Sequence, residues 1–431
     1  MAAWTARAGR MGAERPRRAG GVRPAGAVLL AAALAAFPAG ARAQIALHQR
    51  DSLSLELSGY VRSLTAFQDR GFDLPGIDRQ SAFNGEVVRV KLAGRWGESV
   101  LVQVHDRLQA LFVSGDTALG TVAGFGVSAV PGRTLDLSID LVRGEQTRVW
   151  NDIDRLAVTF YTGAADITLG RQAITWGTAT LFPIADLWAQ FSPFELDTEE
   201  KPGIDAARAL LYPDDATELD AVIADGGSWR DLSAGIRASR SFERADAYAA
   251  FGKFWRELIA IGGASLLFDK VKLRAEAAIP WDLDDAGFDR PRATLGADWI
   301  GARLQLSAEY HYNGIGAGDD DGYLDQLQDP RFLRGESYYL GRHYLGALAA
   351  YAATDRLALS TSTLVNLRDP SAAILPDATY DLGQAVRISV GGLFSLGAAP
   401  RPAQRFPVPL ELPTEFGAYG DMAYARVSFY F

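Results

Sequence analysis

Apolar and polar residues alternate with a period of two over most of the chain. In 270–281, Val271, Leu273, Ala275, Ala277 and Ile279 share one face, while Lys270, Lys272, Arg274, Glu276 and Ala278 share the other. In 303–313, Leu304, Leu306, Ala308, Tyr310 and Tyr312 oppose Arg303, Gln305, Ser307, Glu309, His311 and Asn313; 356–367, 52–62 and 87–96 repeat the pattern. Side chains two apart on a strand point the same way, so each segment predicts a strand with one apolar and one polar face. Eighteen such strands are placed, centred near 58, 89, 106, 157, 170, 208, 221, 235, 249, 262, 275, 295, 308, 347, 361, 378, 391 and 425. The segments near 208 and 378 alternate least regularly, so sixteen is the other even count.

Alternation alone also fits a soluble sandwich or barrel. Three features favour a membrane barrel. Most segments reach 10 to 13 residues, near the length of about 9–11 that crosses a bilayer obliquely, against about 5–6 for a soluble strand. Aromatic residues gather near segment ends (Trp96, Trp150, Trp176, Trp229, Trp255, Trp281, Trp299, Tyr310 and Tyr312), where an interfacial girdle belongs. Tight connections such as 96–99, 161–166, 213–218, 241–246, 268–270, 300–302 and 353–356 alternate with long ones at 68–81, 114–151, 177–203, 281–291, 314–340 and 398–417. Short turns on one side and long loops on the other are the barrel signature. The fold expected is all-β: a single transmembrane antiparallel barrel of 16–18 strands over 44–431, located in the outer membrane of a Gram-negative cell.

The N-terminus changes the picture at one end. Seven arginines and one glutamate precede residue 44, around an apolar run, Ala25–Phe37, and an Ala41-Arg42-Ala43 cleavage pattern. This reads as a signal peptide over 1–43, too short for a spanning helix of about 20 residues. Its removal would move the formal charge from −9 to −15. Only five of the 43 cations are lysine, and a net-acidic, Lys-poor chain argues against nucleic-acid binding. With no cysteine, disulfides, thiolate catalysis and Cys-ligated zinc are excluded.

If the apolar face meets lipid, the alternate face lines a lumen. It carries Arg62, Arg89, Lys91, Arg95, Arg107, Arg155, Arg237, Lys272, Arg274, Arg303, Arg387 and Arg426, against the clear inward acids Glu56, Glu276 and Glu309. Rings of Arg and Lys favour anions; the plainer alternative is that these cations pair with lumen carboxylates and hold the wall together. In 167–213, Ile167 and Leu169 keep the outward phase, which puts Arg171 on the lipid face at a cost of roughly 2–4 kcal/mol at mid-membrane. A bulge at Gly170 would turn it inward. The following Pro-punctuated loop, with Phe182, Trp188, Phe191 and Phe194 and a helical turn expected at 184–191, is expected to fold into the lumen and narrow it.

The sequence Gly-Arg-Gln-x-Ile-x-Trp-Gly, a Pro/Asp-rich loop, then Pro-Gly-Ile-Asp-Ala-x-Arg resembles porins of the alginate-export type and related uncharacterised barrels. The resemblance covers about 50 residues of this stretch. It implies a monomeric, Arg-lined pore for an anionic polymer, and carries over to Arg171, Gln172, Asp205 and Arg208.

Enzymatic readings find little material, because His48, His105, His311 and His343 are the only histidines. No catalytic residues, metal site or cofactor are expected. The 318–322 acidic run lacks the first ligand position of a calcium loop, where Ala317 stands. The final residues, 423–431, put Ala423, Ala425, Val427, Phe429 and Phe431 on the lipid face and Tyr424, Arg426 and Ser428 in the lumen. This segment resembles the C-terminal signal of outer-membrane barrels, which implies the barrel-assembly machinery as a partner through Phe431. The other expected partners are outer-membrane lipids and lipopolysaccharide, with a small anionic or amphipathic solute in the lumen. The competing readings are a transporter of lipid-like substrates and an adhesive barrel with a closed lumen.

Overall fold

The computed structural model describes residues 45–50, 52–73, 78–114, 132–403 and 410–431; the expected signal peptide lies outside these residues. Eighteen antiparallel strands close into one barrel. They are β1 (Leu53–Asp69), β2 (Gln80–Trp96), β3 (Val100–Val113), β4 (Thr147–Tyr161), β5 (Ala165–Gln172), β6 (Ile204–Asp214), β7 (Thr217–Ala224), β8 (Ser233–Ser241), β9 (Ala245–Phe254), β10 (Glu257–Phe268), β11 (Val271–Asp282), β12 (Arg292–Ile300), β13 (Leu304–Asn313), β14 (His343–Ala352), β15 (Leu357–Asn366), β16 (Ser371–Asp381), β17 (Val386–Leu396) and β18 (Asp421–Tyr430). Every segment placed from its alternation, including those near 208 and 378, is a strand, and the larger even count holds.

Each strand pairs with its sequence neighbour, and β18 closes on β1 from Tyr60↔Tyr430 to Asp69↔Asp421. No sheet edge is left along this ladder, as a bilayer without hydrogen-bonding solvent requires. A short strand, Ile45–Arg50, pairs with Leu53–Leu57 and continues the β1 edge beyond the end of β18. Among the described residues, helix is confined to Tyr323–Gln326, Pro330–Leu333 and the 3-10 turns Asp320–Gly322 and Phe416–Ala418. The helical turn expected at 184–191 is absent. That stretch makes only a turn at 184–185, and the Asp186 carboxylate instead accepts from the backbone N–H groups of Trp176 and Gly177.

The face assignment follows the alternation: Val271, Leu273 and Ile279 are exposed on the outside, while Arg274, Glu276 and Ala278 are buried. The girdle is only partly aromatic in the way expected. Trp96, Trp229 and Trp299 are exposed, but Trp150, Trp176 and Trp255 are buried in the protein. Trp176 packs edge-on against Trp188 and Phe254, and Trp255 lies under the Arg334 guanidinium, 4.8 Å from its ring centroid. Connections alternate as expected except at two places on the long-loop side. There β9 and β10 are joined by Trp255–Arg256 alone, and β15 and β16 by 367–370.

Phe429 and Phe431 keep the outward phase, yet both are buried rather than exposed to lipid. They cluster with Val61, flanked by Val88, Val90, Ala385 and Val386. Gly59 makes this possible, since a Cβ there would stand 2.7 Å from the Phe431 ring. Inside the barrel, two apolar clusters tie loops to the wall. One joins Phe182, Phe194 and Leu196 to Tyr339, Tyr344, Phe416 and wall residues such as Leu64 and Leu393; the other joins Ile174, Trp176, Leu187 and Trp188 to Val222, Phe254 and Ile261.

Candidate functional site

Segment 173–203 lies against the inner wall, and two wall carboxylates grip its backbone. Glu309 on β13 accepts from the N–H groups of Thr180, Leu181 and Phe182 at 2.7, 2.9 and 3.0 Å. Glu276 on β11 accepts from Thr178 N–H, from the Thr178 hydroxyl at 2.7 Å and from the Tyr248 hydroxyl at 3.0 Å. Arg274 completes this contact, donating to the Thr180 hydroxyl at 2.5 Å while paired with Asp298 at 2.7 Å and Glu309 at 2.8 Å. Two of the three acids expected inside thus anchor the loop. Its aromatic side chains are consumed by packing: Phe182, Trp188 and Phe194 are all buried, and Phe182 stacks on His311 at 4.9 Å.

Further along, the loop offers acids to the wall cations. Arg62 pairs with Asp197 and Glu199 and donates from Nε to Ser428 at 3.1 Å. Lys91 and Arg89 share Glu200, the latter at 3.0 Å. Arg155 donates to the Lys201 carbonyl, and Arg426 to the Leu196 carbonyl at 2.6 Å. Residues 196–201 therefore run sideways over β18, β1, β2 and β4, touching each through a cation.

The wall also supplies acids that alternation concealed. The β3–β4 ladder pairs His105 with Arg155 but Asp106 with Ile153, so Asp154 is an extra residue in a bulge. Counting back from Arg155 by twos would put Asp152 and Asp154 outside. The bulge changes the phase, and both are buried among arginines. Asp152 pairs with Arg133 at 2.7 Å and Arg107 at 3.5 Å. Asp154 pairs with Arg89 and Arg133, each at 2.5 Å, and with Arg155 at 2.8 Å. Arg133 comes from the long loop after β3, where no period exists to predict its place. The inner wall is therefore a lattice of ion pairs, richer in acids than its alternation implies.

Arg171 and Asp205 face each other across β5 and β6, with Nε–Oδ1 at 2.7 Å and Nη2–Oδ2 at 3.0 Å. The expected bulge at Gly170 is not there: the register is continuous on both sides, and glycine instead takes φ +111°. Cover from residues 132–135 relieves the charge. Arg171 donates to the Leu135 carbonyl at 2.6 Å and the Ile153 carbonyl at 3.0 Å, and Asp205 accepts from Thr134 and Leu135 N–H at 2.8 Å each. Gln172 donates to the carbonyls of Thr168, Gly170 and Ala206. Arg208 forms a two-pronged pair with Asp220, at 2.9 and 2.7 Å, and Trp176 Nε1 donates to the same carboxylate.

The remaining expected residues fall apart. Arg303 is exposed in the turn 301–303, outside the spanning strands. Arg387 is exposed at the start of β17, paired with Asp381 at 2.8 Å. Lys272 is half-buried on the inward face of β11, with no carboxylate partner among the described residues. Where β18 meets β1, Tyr60, Lys91, Glu199, Asp381, Arg387 and Tyr430 line a cavity of about 440 Å³.

No protein-family model matches the sequence, and no curated protein matches it. Solved structures do resemble the fold. Pseudomonas aeruginosa OpdQ superposes with a TM-score of 0.52 at 10% identity, over 88% of this chain and 97% of that one. Pseudomonas aeruginosa OccK7 (OpdD) gives 0.49 at 12%, over 88% and 98%, and a Rhodopseudomonas blastica porin triple mutant 0.44 at 12%, over 88% and 100%. A closed eighteen-strand antiparallel barrel with an apolar exterior and a charged interior defines the fold class, a β-barrel with the same fold as these porins. The alginate-export likeness of 167–213 finds no support in these comparisons.

Proposed function

We propose that this barrel is a channel whose lumen, narrowed by segment 173–203, passes small anionic or amphipathic solutes. One observation carries the reading: two inward cations lack a carboxylate partner among the described residues. Lys272 has none, and Arg426 donates only to the Leu196 carbonyl and the Ser389 hydroxyl. Uncompensated positive charge on a pore wall favours anion entry. Packing of the loop aromatics favours this aqueous route over guidance of a lipid-like molecule. Tyr60 and Tyr430 beside Lys91 and Arg387 would suit a solute with an apolar part. Reversal potentials in planar bilayers under a KCl gradient test the reading. Anion selectivity, reduced by Lys272→Gln with Arg426→Gln, supports it; cation preference or no conductance overturns it.

A further inference from the structure

Residues 196–201 cross the wall as a strip of acceptors laid over a strip of cations. The two strips differ in exposure. The side chains of Asp197, Glu199 and Glu200 are 28, 34 and 20% exposed, whereas those of Arg62 and Arg89 are 4 and 1% exposed. The guanidinium groups are fixed by the barrel: Arg62 is held by Ser428 and lies 4.6 Å from the Tyr60 ring centroid, and Arg89 is held by Asp154. The carboxylates hang from a loop and border water. Arg89 Nε has no hydrogen-bond partner among the described residues, so the cation strip is not fully satisfied by the acids laid on it. A buried guanidinium left without an anion is costly. Something anionic must therefore stay on Arg62, and the loop acids are the resident choice; Arg89 keeps Asp154 when Glu200 leaves. The arrangement places two carboxylates on Arg62 and a third across Arg89 and Lys91. The adjoining cavity of about 440 Å³, bordered by Lys91, Arg387 and Glu199, gives a small solute room to approach.

We propose that the cation strip Arg62–Arg89–Lys91 is a binding site for multivalent carboxylate anions, and that Asp197, Glu199 and Glu200 are its built-in competitor. A solute carrying two or three carboxylates replaces the loop acids; a monocarboxylate replaces one contact and leaves the others in place. This deepens the anion-channel reading and rests on it for the physiological role, though the site itself is measured apart from conductance. A site open about one-tenth of the time binds about ten-fold more weakly than a free one. Removing the competitor therefore tightens binding, whereas a purely structural role for these acids predicts no gain.

The test is calorimetric titration of the purified, detergent-solubilised full chain with citrate, and with acetate as the monovalent control. The Asp197→Asn, Glu199→Gln, Glu200→Gln triple variant should bind citrate about ten-fold more tightly than the unaltered chain, with little change for acetate. Adding Arg62→Gln to it should abolish the gain. Glu200→Gln alone, the mildest change, should show a smaller gain, and it decides the matter if the triple variant loses its heat-modifiable migration. No gain in citrate affinity in any folded variant overturns the proposal, even where the channel is anion-selective. A citrate gain in a channel that prefers cations upholds the site and overturns the channel reading instead.

Discussion

The backbone N–H of Gly59 donates to the Phe431 carbonyl at 2.8 Å, and the Phe431 N–H returns to the Gly59 carbonyl at 3.0 Å. This reciprocal pair is the last rung of the ladder that closes the barrel, and the Phe431 ring lies across the space that a Gly59 side chain would fill. An added Cβ would stand 2.2 Å from the Arg89 carbonyl. Gly59→Val should therefore impair closure, lowering the temperature of the unboiled-to-boiled gel shift. Phe431→Ala removes a buried ring, a loss of about 3–5 kcal/mol in well-packed cores, and should lower it further. Unchanged migration in both variants would show that the seam is not held here.

Arg171 and Asp205 form a buried pair whose other hydrogen bonds reach residues 132–135. Truncating one partner strands the other charge, at a cost of about 3–5 kcal/mol. Arg171→Ala and Asp205→Ala should each destabilise the barrel in urea by that order. The double variant should lose little more than either alone; full additivity would show that the two do not act as a pair.

Glu309 holds three successive amides of the inserted loop and pairs with Arg274. Glu309→Ala leaves all four donors without their carboxylate, with about 1–3 kcal/mol for each unsatisfied amide. Proteolysis within 173–203 should accelerate by at least about ten-fold, since each 1.4 kcal/mol is a factor of ten. A cleavage rate equal to that of the unaltered chain would show that the loop is held elsewhere.

Glu415, in the loop before β18, is pushed up to about 7 by burial, which outweighs its bonds to Tyr344, Asn366 and the Leu340 N–H. Asp369 nearby raises it further. The folded value lies above the unfolded one of 4.5, so the folded state binds the extra proton. Stability from this group is complete below about pH 4.5 and declines as pH rises toward 7, at up to about 1.4 kcal/mol per pH unit. Protection of 410–419 from hydrogen exchange should fall between pH 5 and 8, and Glu415→Gln should flatten that dependence. A profile that rises with pH would contradict the assignment.

Strand periodicity made the barrel legible because it is local. Two-residue alternation fixes which side chains share a face wherever the chain is extended, as in 270–281, and closure follows from the need to pair every edge. The same rule put Arg62, Arg89, Lys91, Arg274 and Arg426 on the inner face, where they are found in contact with the inner loop. It failed where the phase breaks or where chain distant in sequence arrives. The extra residue at Asp154 moves Asp152 and Asp154 into the lattice. Cover by residues 132–135, with no bulge at Gly170, shields Arg171. Trp176 leaves the girdle because it sits in the inserted loop against Trp188 and Phe254, and Trp255 because Arg334 of the loop before β14 covers it.

Sequence by itself determined the strands and, where the alternation is unbroken, their faces, since both depend on extended backbone and neighbouring residues. Only the tertiary structure decided which charges stand free. Arg62 meets Glu199 across 137 residues, and Arg274 meets Glu309 across the β12 strand between them. Such pairs depend on where a loop settles, and that is fixed by packing and desolvation over the whole lumen rather than by any local pattern.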